Sequence, residues 1–455
     1  MNKIFHRDHS YHLHMINSRY KKQNPLSSIL FYRLNYLWSR RQDKNLTDTI
    51  ILTITVILTM IGLVMVYSVT TQFGFGYLKA QLIRIVIGFI GLFVASFIPY
   101  HYYKRKIKDV LLVLAILALI FTLIAGKKIS GAKRWTKAKL LSVQFQPAEI
   151  TKYILVFWLA GYFANRKPNE ENKKTKISGF EFLSVNDNTA IRKNKNSVVH
   201  KIANLLRIYF QSNLFPISVV ALIVLLLLLQ PAIGTSIIVI FSALLIFLIG
   251  GVRLKYILLT ILFGIIVLIV SVTIIPHAKN RYEKFKQGPT YQQIQSVIAI
   301  GSGGLLGKGL GEGKQKYYFL PKLHTDFMFS AIGEELGFIG SILILGLYFV
   351  LLIRGLKIAA EINDSFGCLL VAGIMIIIFH YVLVHLGVVL ALIPVTGQPF
   401  PFISYGGSAL ISNLYAIGVV LNVSKFRRQN IDDGINLKLR NRRPVFNRSR
   451  KRWMW

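Results

Sequence analysis

Long runs of apolar residues recur along the 455-residue chain and are separated by short polar segments. A run of about 20 apolar residues is long enough for a helix to cross the hydrocarbon core of a bilayer. The pattern therefore predicts an all-α, polytopic membrane protein with about ten transmembrane helices. The predicted spans are Thr47–Val69, Tyr77–Ile98, Val110–Ala125, Ala148–Ala164, Leu214–Leu229, Ile233–Gly251, Tyr256–Ile275, Phe327–Ile353, Phe366–Ile393 and Ser404–Val423.

A polar, glycine-rich stretch, Tyr291–Gly337, lies between the seventh and eighth predicted spans. We expect a large outer loop here, covering residues 277–325. Ionisable residues at membrane depth are costly, and loops that carry them are usually functional. Four such residues stand where the eighth apolar run begins, and they mark this region as the candidate site: His324, Asp326, Glu334 and Glu335.

The distribution of Lys and Arg sets the predicted topology, because short basic loops tend to stay on the cytoplasmic side of a membrane. Both ends of the chain are basic, as are the segments 101–108 and 166–207. We therefore expect both termini in the cytoplasm, with an even number of crossings. The predicted organisation is a basic tail (1–46), a transmembrane domain (47–425) with a cytoplasmic linker (166–212), and a second basic tail (426–455).

The loop 126–146 departs from this rule, because it carries six Lys and Arg residues and yet falls on the outer side. Two explanations stay open. Either the rule is locally broken in a Lys-rich protein, or the loop faces an anionic ligand.

The composition and the distribution of charge distinguish between membrane lipids and nucleic acid as partners. The chain is 53% hydrophobic with a net charge of +37, and its basic residues lie in tails and alternate loops, with no compact basic domain. Anionic membrane lipids explain this distribution better than nucleic acid, and we predict no nucleic-acid partner. The single cysteine, Cys368, excludes an intrachain disulfide.

Glu149 and Lys152 stand at the predicted start of the fourth span, in QFQPAEITK. They are three residues apart, so they share a helix face and can pair. An ion pair within the hydrocarbon is costly, which makes this pair a functional candidate. The alternative is a structural pair near the outer interface.

The glycines of GSGGLLGKG (301–309) do not fit a phosphate-binding loop, because Ser302 replaces its first Gly and Lys308 is followed by Gly309 where Ser or Thr is required. They do not fit a dinucleotide motif either, because its third Gly is missing. We interpret them as permitting tight turns and close approach of the backbone to a substrate. Thr325 or Asp326 is expected to cap the eighth helix.

The last outer loop, residues 394–407, is rich in Pro and Gly and is predicted to form a rigid re-entrant turn. On the neighbouring ninth span, His380 and His385 either face a cavity beneath this turn or are hydrogen-bonded core residues.

Four motifs together resemble the family of shape, elongation, division and sporulation (SEDS) proteins. They are GAKRWTKAKLLSVQFQPAEITK (131–152), QPAIGTS (230–236), the stretch 301–337, and PVTGQPFPFISYGGSAL (394–410). The resemblance covers roughly residues 47–425, and the motifs are more similar to the division members than to the elongation members.

The resemblance implies a peptidoglycan glycosyltransferase of the bacterial inner membrane that polymerises lipid II at the division septum, with inversion at the anomeric carbon. The implied partners are a class B penicillin-binding protein acting as transpeptidase, other divisome proteins, and membrane lipids. No protein metal site is assigned, although a divalent cation such as Mg²⁺ is a candidate at the pyrophosphate. The residues assigned to substrate binding are Arg134, Gln146, Glu149, Lys152, Arg281, His324, Asp326, Ser404 and Gly406.

The chain departs from the family where catalysis is expected. Ala232 replaces the usual Asp of the second motif, and the outer-loop segment 280–293 lacks the Asp favoured as the catalytic residue. Glu283 is the nearest acid in sequence and is assigned as the candidate base, with a solvated loop acid as the alternative. The missing Asp keeps a non-catalytic divisome scaffold open as an alternative function, and the resemblance to the family leaves a lipid II flippase as another.

Overall fold

The computed structural model describes residues 47–104, 107–129, 132–135, 139–140, 143–165, 213–274, 276–317 and 319–441. The predicted tail 1–46 and the linker 166–212 lie outside this part of the chain. The helices are α1 (Thr47–Thr70), α2 (Gly76–Phe97), α3 (His101–Lys104), α4 (Ile107–Ala125), α5 (Pro147–Ala164), α6 (Leu214–Leu229), α7 (Ile233–Ile249), α8 (Leu254–Ile274), α9 (Pro276–Lys286), α10 (Tyr291–Ser302), α11 (Met328–Glu361), α12 (Ser365–Val389) and α13 (Gly407–Asn441).

Each predicted span coincides with one of the helices of 16 or more residues in the described part of the chain. By length and hydropathy, α1, α2, α4, α8, α11, α12 and α13 could cross a membrane. Helices α6 and α7 are apolar but shorter, and α5 carries Glu149 and Lys152. The number of crossings therefore stays a prediction. The last helix runs on to Asn441, beyond residue 425 where the membrane domain was expected to end.

Helices α5, α12 and the part of α13 up to Phe426 form the centre of the bundle, because most of their side chains are buried. Helices α4 and α8 lie at the periphery and expose mainly apolar side chains, as expected for a surface against lipid. Small residues let the helices approach closely. A Cβ on Gly88 of α2 would overlap Leu414 of α13, and a Cβ on Gly418 of α13 would overlap the Leu92 carbonyl oxygen.

Two short antiparallel hairpins occupy the basic loop between α4 and α5, and the sequence analysis did not predict them. Strand β1 (Lys127–Ile129) pairs with β2 (Ala132–Trp135), and β3 (Lys139–Leu140) pairs with β4 (Val143–Gln144). Apart from these hairpins, the regular secondary structure of the described residues is helical. Strands of two to four residues leave too little alternation for a sequence pattern to reveal them.

The large loop between α8 and α11 contains two helices, α9 and α10, which the sequence analysis did not predict. Helix α10 begins with a capping box, in which Thr290 and Gln293 satisfy each other's backbone groups. Its buried face, with Gln293, Ser296 and Ala299, packs on α11 and α12. The loop is therefore attached to the membrane domain along a helix.

The predicted orientation can be tested by cysteine labelling in a Cys368→Ser background. Glu312 lies in the outer loop and Lys255 in the first turn of α8, at the predicted cytoplasmic end of that helix, and both are exposed. We expect a membrane-impermeant maleimide added to intact cells to modify Glu312→Cys and to spare Lys255→Cys until the membrane is permeabilised. The reverse pattern would overturn the topology.

Candidate functional site

A break in helix α11 anchors the glycine-rich segment of the outer loop. Gly337 has φ 68° and ψ −166°, so the helix loses its own hydrogen bonds at this point. The N–H groups of Phe338 and Ile339 instead donate to the carbonyl oxygens of Gly304 (2.9 Å) and Leu305 (3.1 Å). The loop thus supplies the partners that the broken helix needs.

Two buried carboxylates hold the same loop from the helix side. Glu334 accepts hydrogen bonds from Lys308 Nζ (2.8 Å) and from the N–H of Lys314 (2.8 Å). Glu335 accepts from Ser68 Oγ of α1 (2.6 Å) and lies 3.7 Å from Lys316 Nζ. Charged groups at this burial are tolerated because each one is paired and hydrogen-bonded. We call the set Ser68, Lys308, Lys316, Glu334 and Glu335 the loop clamp.

Two sequence-based expectations concern this region. The glycines were expected to permit tight turns, and Gly304 and Gly307 do adopt positive φ. Gly303 and Gly307 also approach α11, where a Cβ would overlap the carbonyl oxygens of Gly333 and Glu335, while the expected approach of the backbone to a substrate stays a prediction. The expected cap at Thr325 or Asp326 is wrong, since Phe327 is the N-cap residue and no side chain caps the helix.

The last outer loop enters the helix bundle, in agreement with the predicted re-entrant turn. A Cβ on Gly62 of α1 would lie 2.6 Å from Ile403 Cα, and Gly62 is eight residues, about 12 Å, from the end of α1. Tyr348 of α11 donates a hydrogen bond to the carbonyl oxygen of Pro401. Phe402 is fully buried with φ 65°, a strained conformation that persists only where the surroundings impose it.

Ser404 joins this re-entrant loop to the start of α11. Its hydroxyl donates to the carbonyl oxygen of Thr325 (2.8 Å) and accepts from the N–H of Phe400 (2.9 Å). The N–H of Tyr405 donates to the carbonyl oxygen of His324 (2.9 Å). These bonds place the segment His324–Asp326 against residues 394–406.

Arg281 of α9 also contacts the re-entrant loop beside His324–Asp326. Its Nη1 donates to the carbonyl oxygen of Val395 (3.1 Å), and the carboxylate of Asp326 faces Gly397 in the same loop. Burial lowers the pKa of Arg281 from its ordinary value, and the negative charge of Asp326 opposes the shift. Burial also lowers the pKa of His324, which favours the neutral imidazole. The predicted residues Arg281, His324, Asp326 and Ser404 are therefore brought together, and we call them the outer cluster.

Helix α2 adds residues that the sequence analysis missed. The ring of Tyr77 lies 5.2 Å from that of His324 and 5.1 Å from that of Tyr405. The guanidinium carbon of Arg84 lies 4.0 Å from the Tyr405 ring centroid. The sequence did contain a signal for these residues of α2, because Gln81 and Arg84 are polar residues three apart within an apolar span.

Glu149 and Lys152 pair inside the bundle, as predicted, with 2.6 Å between Oε2 and Nζ. Tyr381 of α12 donates to the other carboxylate oxygen (3.1 Å), and its ring centroid lies 3.8 Å from Lys152 Nζ. Tyr153 donates to Asn413 of α13 (2.7 Å). The pair therefore belongs to the contact between α5, α12 and α13, and its predicted role in substrate binding stays a prediction.

Both histidines of α12 are hydrogen-bonded, and His385 is a buried core residue, whereas His380 is partly buried. His380 Nδ1 lies 3.0 Å from Ser242 Oγ of α7. His385 Nδ1 lies 3.0 Å from the carbonyl oxygen of Gln398 in the re-entrant loop, and the ring stacks on Phe400. His385 thus supports the loop from beneath.

The remaining predicted site residues occupy separate positions. The N–H of Gln146 donates to Ser408 Oγ of α13 (2.9 Å), and Gly406 packs beside Pro399. Arg134 belongs to strand β2, and the structure describes its backbone but not its side chain. Glu283 is exposed on α9, 3.9 Å from Lys279, and does not contact the outer cluster.

Sequence and structure comparisons identify the relatives of this chain. The family model FTSW_RODA_SPOVE, described as cell cycle protein, matches residues 48–186 and 190–429. The chain belongs to the FtsW/RodA/SpoVE family. A probable peptidoglycan glycosyltransferase FtsW of Trichlorobacter lovleyi is 35% identical over 83% of this chain and 93% of its own length. The stage V sporulation protein E of Bacillus subtilis is 32% identical over 85% of this chain and 99% of its own length.

Solved structures place the fold in the same FtsW/RodA/SpoVE family. A chain from the structure titled "Structural coordination of polymerization and crosslinking by a peptidoglycan synthase complex" matches with a TM-score of 0.62 at 25% identity, over 83% of this chain and 98% of that chain. The rod shape determining protein RodA of Thermus thermophilus matches with a TM-score of 0.55 at 25% identity, over 83% of this chain and 96% of that one. The SEDS resemblance and the prediction of a polytopic membrane protein are confirmed.

The loop clamp leads to a stability prediction. Glu334→Gln removes the charge that compensates Lys308 but nearly preserves the shape. Removing one partner of a buried pair costs about 3–5 kcal/mol, and the partial exposure of Lys308 puts this case at the lower end. We expect a clearly lower melting temperature for the detergent-purified variant. Glu312→Gln, in an exposed acid of the same loop, is the matched control, and equal melting temperatures for both would contradict the loop clamp.

A second prediction separates the structural role of the Glu149–Lys152 pair from a functional one. Lys152→Ala leaves a buried carboxylate unpaired and should lower stability. The double variant Glu149→Met/Lys152→Met removes both charges and should recover most of that stability. We expect neither variant to support growth of cells depleted of the native protein. Growth restored by the double variant would show that the pair is only structural.

Proposed function

We propose that this protein is a peptidoglycan glycosyltransferase that polymerises lipid II at the division septum. The observation that carries the proposal is the outer cluster, where Arg281 and Asp326 meet at the mouth of a re-entrant loop. Membership of the FtsW/RodA/SpoVE family and the names of the relatives support it. A site at a membrane face suits a substrate with a polar head and a hydrocarbon tail.

The proposed reaction transfers a glycan between two lipid-linked substrates. The acceptor's sugar hydroxyl oxygen attacks the anomeric carbon of the donor from the face opposite the leaving group. The bond from that carbon to the pyrophosphate oxygen breaks, and undecaprenyl pyrophosphate leaves with the electron pair. A carboxylate takes the hydroxyl proton, and cations stabilise the charge that develops on the leaving group.

Two acids are candidates for the base. Glu283 was assigned from the sequence, but it stands two residues from Arg281, about 200° around α9, and so points away from the outer cluster. Asp326 lies where Arg281 and the re-entrant loop meet. The carboxylate of Asp326 lies near the guanidinium of Arg281 and is the group that would accept the hydroxyl proton. The geometry makes Asp326 the stronger of the two candidates.

The outer cluster does not fit a metal site. Among the described residues there is no group of three or more His, Cys, Asp and Glu side chains placed to hold an ion. The acid of the outer cluster, Asp326, is already engaged with a cation. We therefore assign charge stabilisation to Arg281 and other basic side chains, and we derive no step through Mg²⁺.

We extend the proposal to the protein's cellular location and its protein partners. We infer an inner-membrane protein with both termini in the cytoplasm, which works with a class B penicillin-binding protein and other divisome proteins. The similarity to a chain of a peptidoglycan synthase complex supports a transpeptidase partner.

Polymerisation of labelled lipid II by the purified protein with its cognate transpeptidase tests this function. We expect Asp326→Asn to lower the rate by about 10²- to 10⁴-fold, the usual contribution of a general base, with lipid II binding retained. Glu283→Gln should stay within a few-fold of the parent, as should the control Glu312→Gln. The reverse result would assign the base to Glu283, and an inactive parent would favour a scaffold.

A further inference from the structure

Helix α10 of the outer loop carries its polar and apolar residues on the opposite sides from those of a helix in water. Its buried residues are Gln293, Ser296 and Ala299. The amide of Gln293 donates to the carbonyl oxygen of Ile393 (2.9 Å), and the hydroxyl of Ser296 donates to the carbonyl oxygen of Val389 (2.7 Å). A helix at a water-exposed surface normally buries its apolar side chains and exposes its polar ones. The reversed arrangement in α10 indicates that its outer face does not meet water.

The exposed face of α10 is apolar. Tyr291, Ile294 and Ile298 are spaced by three and four residues, so they lie on one side of the helix. Their exposed fractions are 57%, 46% and 48%, and Val297 beside them is 46% exposed. No residue of α10 carries a charge. A contiguous apolar surface of this kind marks a contact with lipid or with another protein.

The glycine-rich turn that follows α10 extends this face. Leu305 and Leu306 are 69% and 80% exposed. A Cβ placed on Gly301 or Gly304 would have no atom of another segment within 4 Å, so no described part of the chain covers the helix or the turn at these points. We give the name apolar strip to the exposed side chains of the helix and the turn, which are Tyr291, Ile294, Val297, Ile298, Leu305 and Leu306.

The hydrogen bonds between the turn and α11 give the depth of the apolar strip in the membrane. The N–H of Ile339 donates to the carbonyl oxygen of Leu305 (3.1 Å), so these two residues lie at the same level. Residues 338–353 of α11 carry no charge, and Arg354 follows them at the predicted cytoplasmic end. Ile339 is 15 residues from Arg354, about 22 Å along the helix. Because the hydrocarbon core is about 30 Å thick, this distance places Leu305 inside its outer half.

The surroundings of the apolar strip favour lipid over a protein partner. Next to Leu305, α11 exposes Phe338 and Leu343 (58% and 65%), so the strip is continuous with an exposed apolar face of a membrane-spanning helix. Interfacial segments combine an apolar face with basic flanks, which attract anionic lipid headgroups. Exposed lysines flank the strip in α9 and after the turn, and they are Lys279, Lys284, Lys286 and Lys314.

We propose that the apolar strip inserts into the outer leaflet of the bilayer and contacts phospholipid acyl chains. Helix α10 and its turn then form a second segment that enters the membrane from the outer side, in addition to the re-entrant loop. The flanking lysines lie at the level of the headgroups. This contact with lipid does not depend on the proposed glycosyltransferase activity, because it follows from the exposure, charge and depth of the strip.

Nitroxide spin labels on single cysteines test the insertion. The full-length protein, in a Cys368→Ser background, is reconstituted in nanodiscs of phosphatidylethanolamine and phosphatidylglycerol. Power saturation then compares the access of two reagents to each label: O₂, which concentrates in hydrocarbon, and a nickel chelate, which stays in water. The test positions are Ile298→Cys and Leu306→Cys. Phe349→Cys, exposed in the apolar part of α11, is the reference for lipid, and Glu312→Cys is the reference for water.

We expect the ratio of O₂ to nickel accessibility at Ile298→Cys and Leu306→Cys to approach that of Phe349→Cys and to exceed that of Glu312→Cys several-fold. Ratios as low as that of Glu312→Cys would show that the apolar strip meets water, and they would overturn the proposal. Low accessibility to both reagents would show that a protein surface, such as a second copy of the chain, covers the strip, and it would overturn the proposal as well.

A label on the buried face of the same helix is the matched control. Ser296→Cys should be poorly accessible to both reagents and should lower the melting temperature, because Ser296 bonds to α11 and α12. The labelled Ile298→Cys and Leu306→Cys variants should melt as the Cys368→Ser parent does, since these side chains point away from the protein. Val297→Cys lies on the same strip and replaces either variant if it is less stable. Equal O₂ accessibility at Ser296→Cys and Ile298→Cys would contradict the orientation of α10 and overturn the proposal.

Discussion

The structure depends on the requirement that buried backbone and charged groups find partners. Gly337 breaks α11 within the bundle, and the freed N–H groups of the helix would be unsatisfied if the loop were not there. The segment 303–309 provides the missing carbonyl groups, and Glu334 and Glu335 bind the lysines that the loop brings with it. Helix and loop therefore require each other, and α11 cannot keep this shape unless the loop is in place.

Because α11 and the loop depend on each other, they determine how the residues of the predicted outer face are arranged. The loop clamp sets the position of α11, and α11 begins directly after His324 and Asp326. The re-entrant loop then bonds to that segment through Ser404 and Tyr405, and His385 supports it from beneath. Residues from distant parts of the sequence meet because each loop satisfies hydrogen bonds of its neighbour, and not because any one of them folds alone.

The polar residues inside the bundle also differ in whether their side chains have hydrogen-bond partners. Glu149, Lys152, Glu334 and Glu335 are buried and paired, so their bonds are used within the fold. Gln81 is buried and Arg84 is partly buried beside the outer cluster, and Nε2 and Oε1 of Gln81 and Nε and Nη1 of Arg84 have no hydrogen-bond partner among the described residues. The first group holds helices and loops together, whereas these four atoms of the second group form no such bonds. In a membrane domain this distinction is sharp, because water does not provide the alternative partner.

The sequence by itself determined the class of fold, the positions of the long helices and the family. Runs of apolar residues and motif order are local properties, and a bilayer imposes a minimum helix length that such runs reveal. The Glu149–Lys152 pair was also predictable, since its spacing lies within one helical turn. Only the tertiary structure decided which acids face the site. Glu334 and Glu335 looked like site residues in the sequence, but Lys308 and Lys316 approach them from the folded loop. Glu283 looked well placed because it is near Arg281 in sequence, yet the turn of α9 separates them. Arg84 joins Tyr405, and Arg281 joins Val395, through contacts between segments more than a hundred residues apart, and no local pattern encodes such contacts.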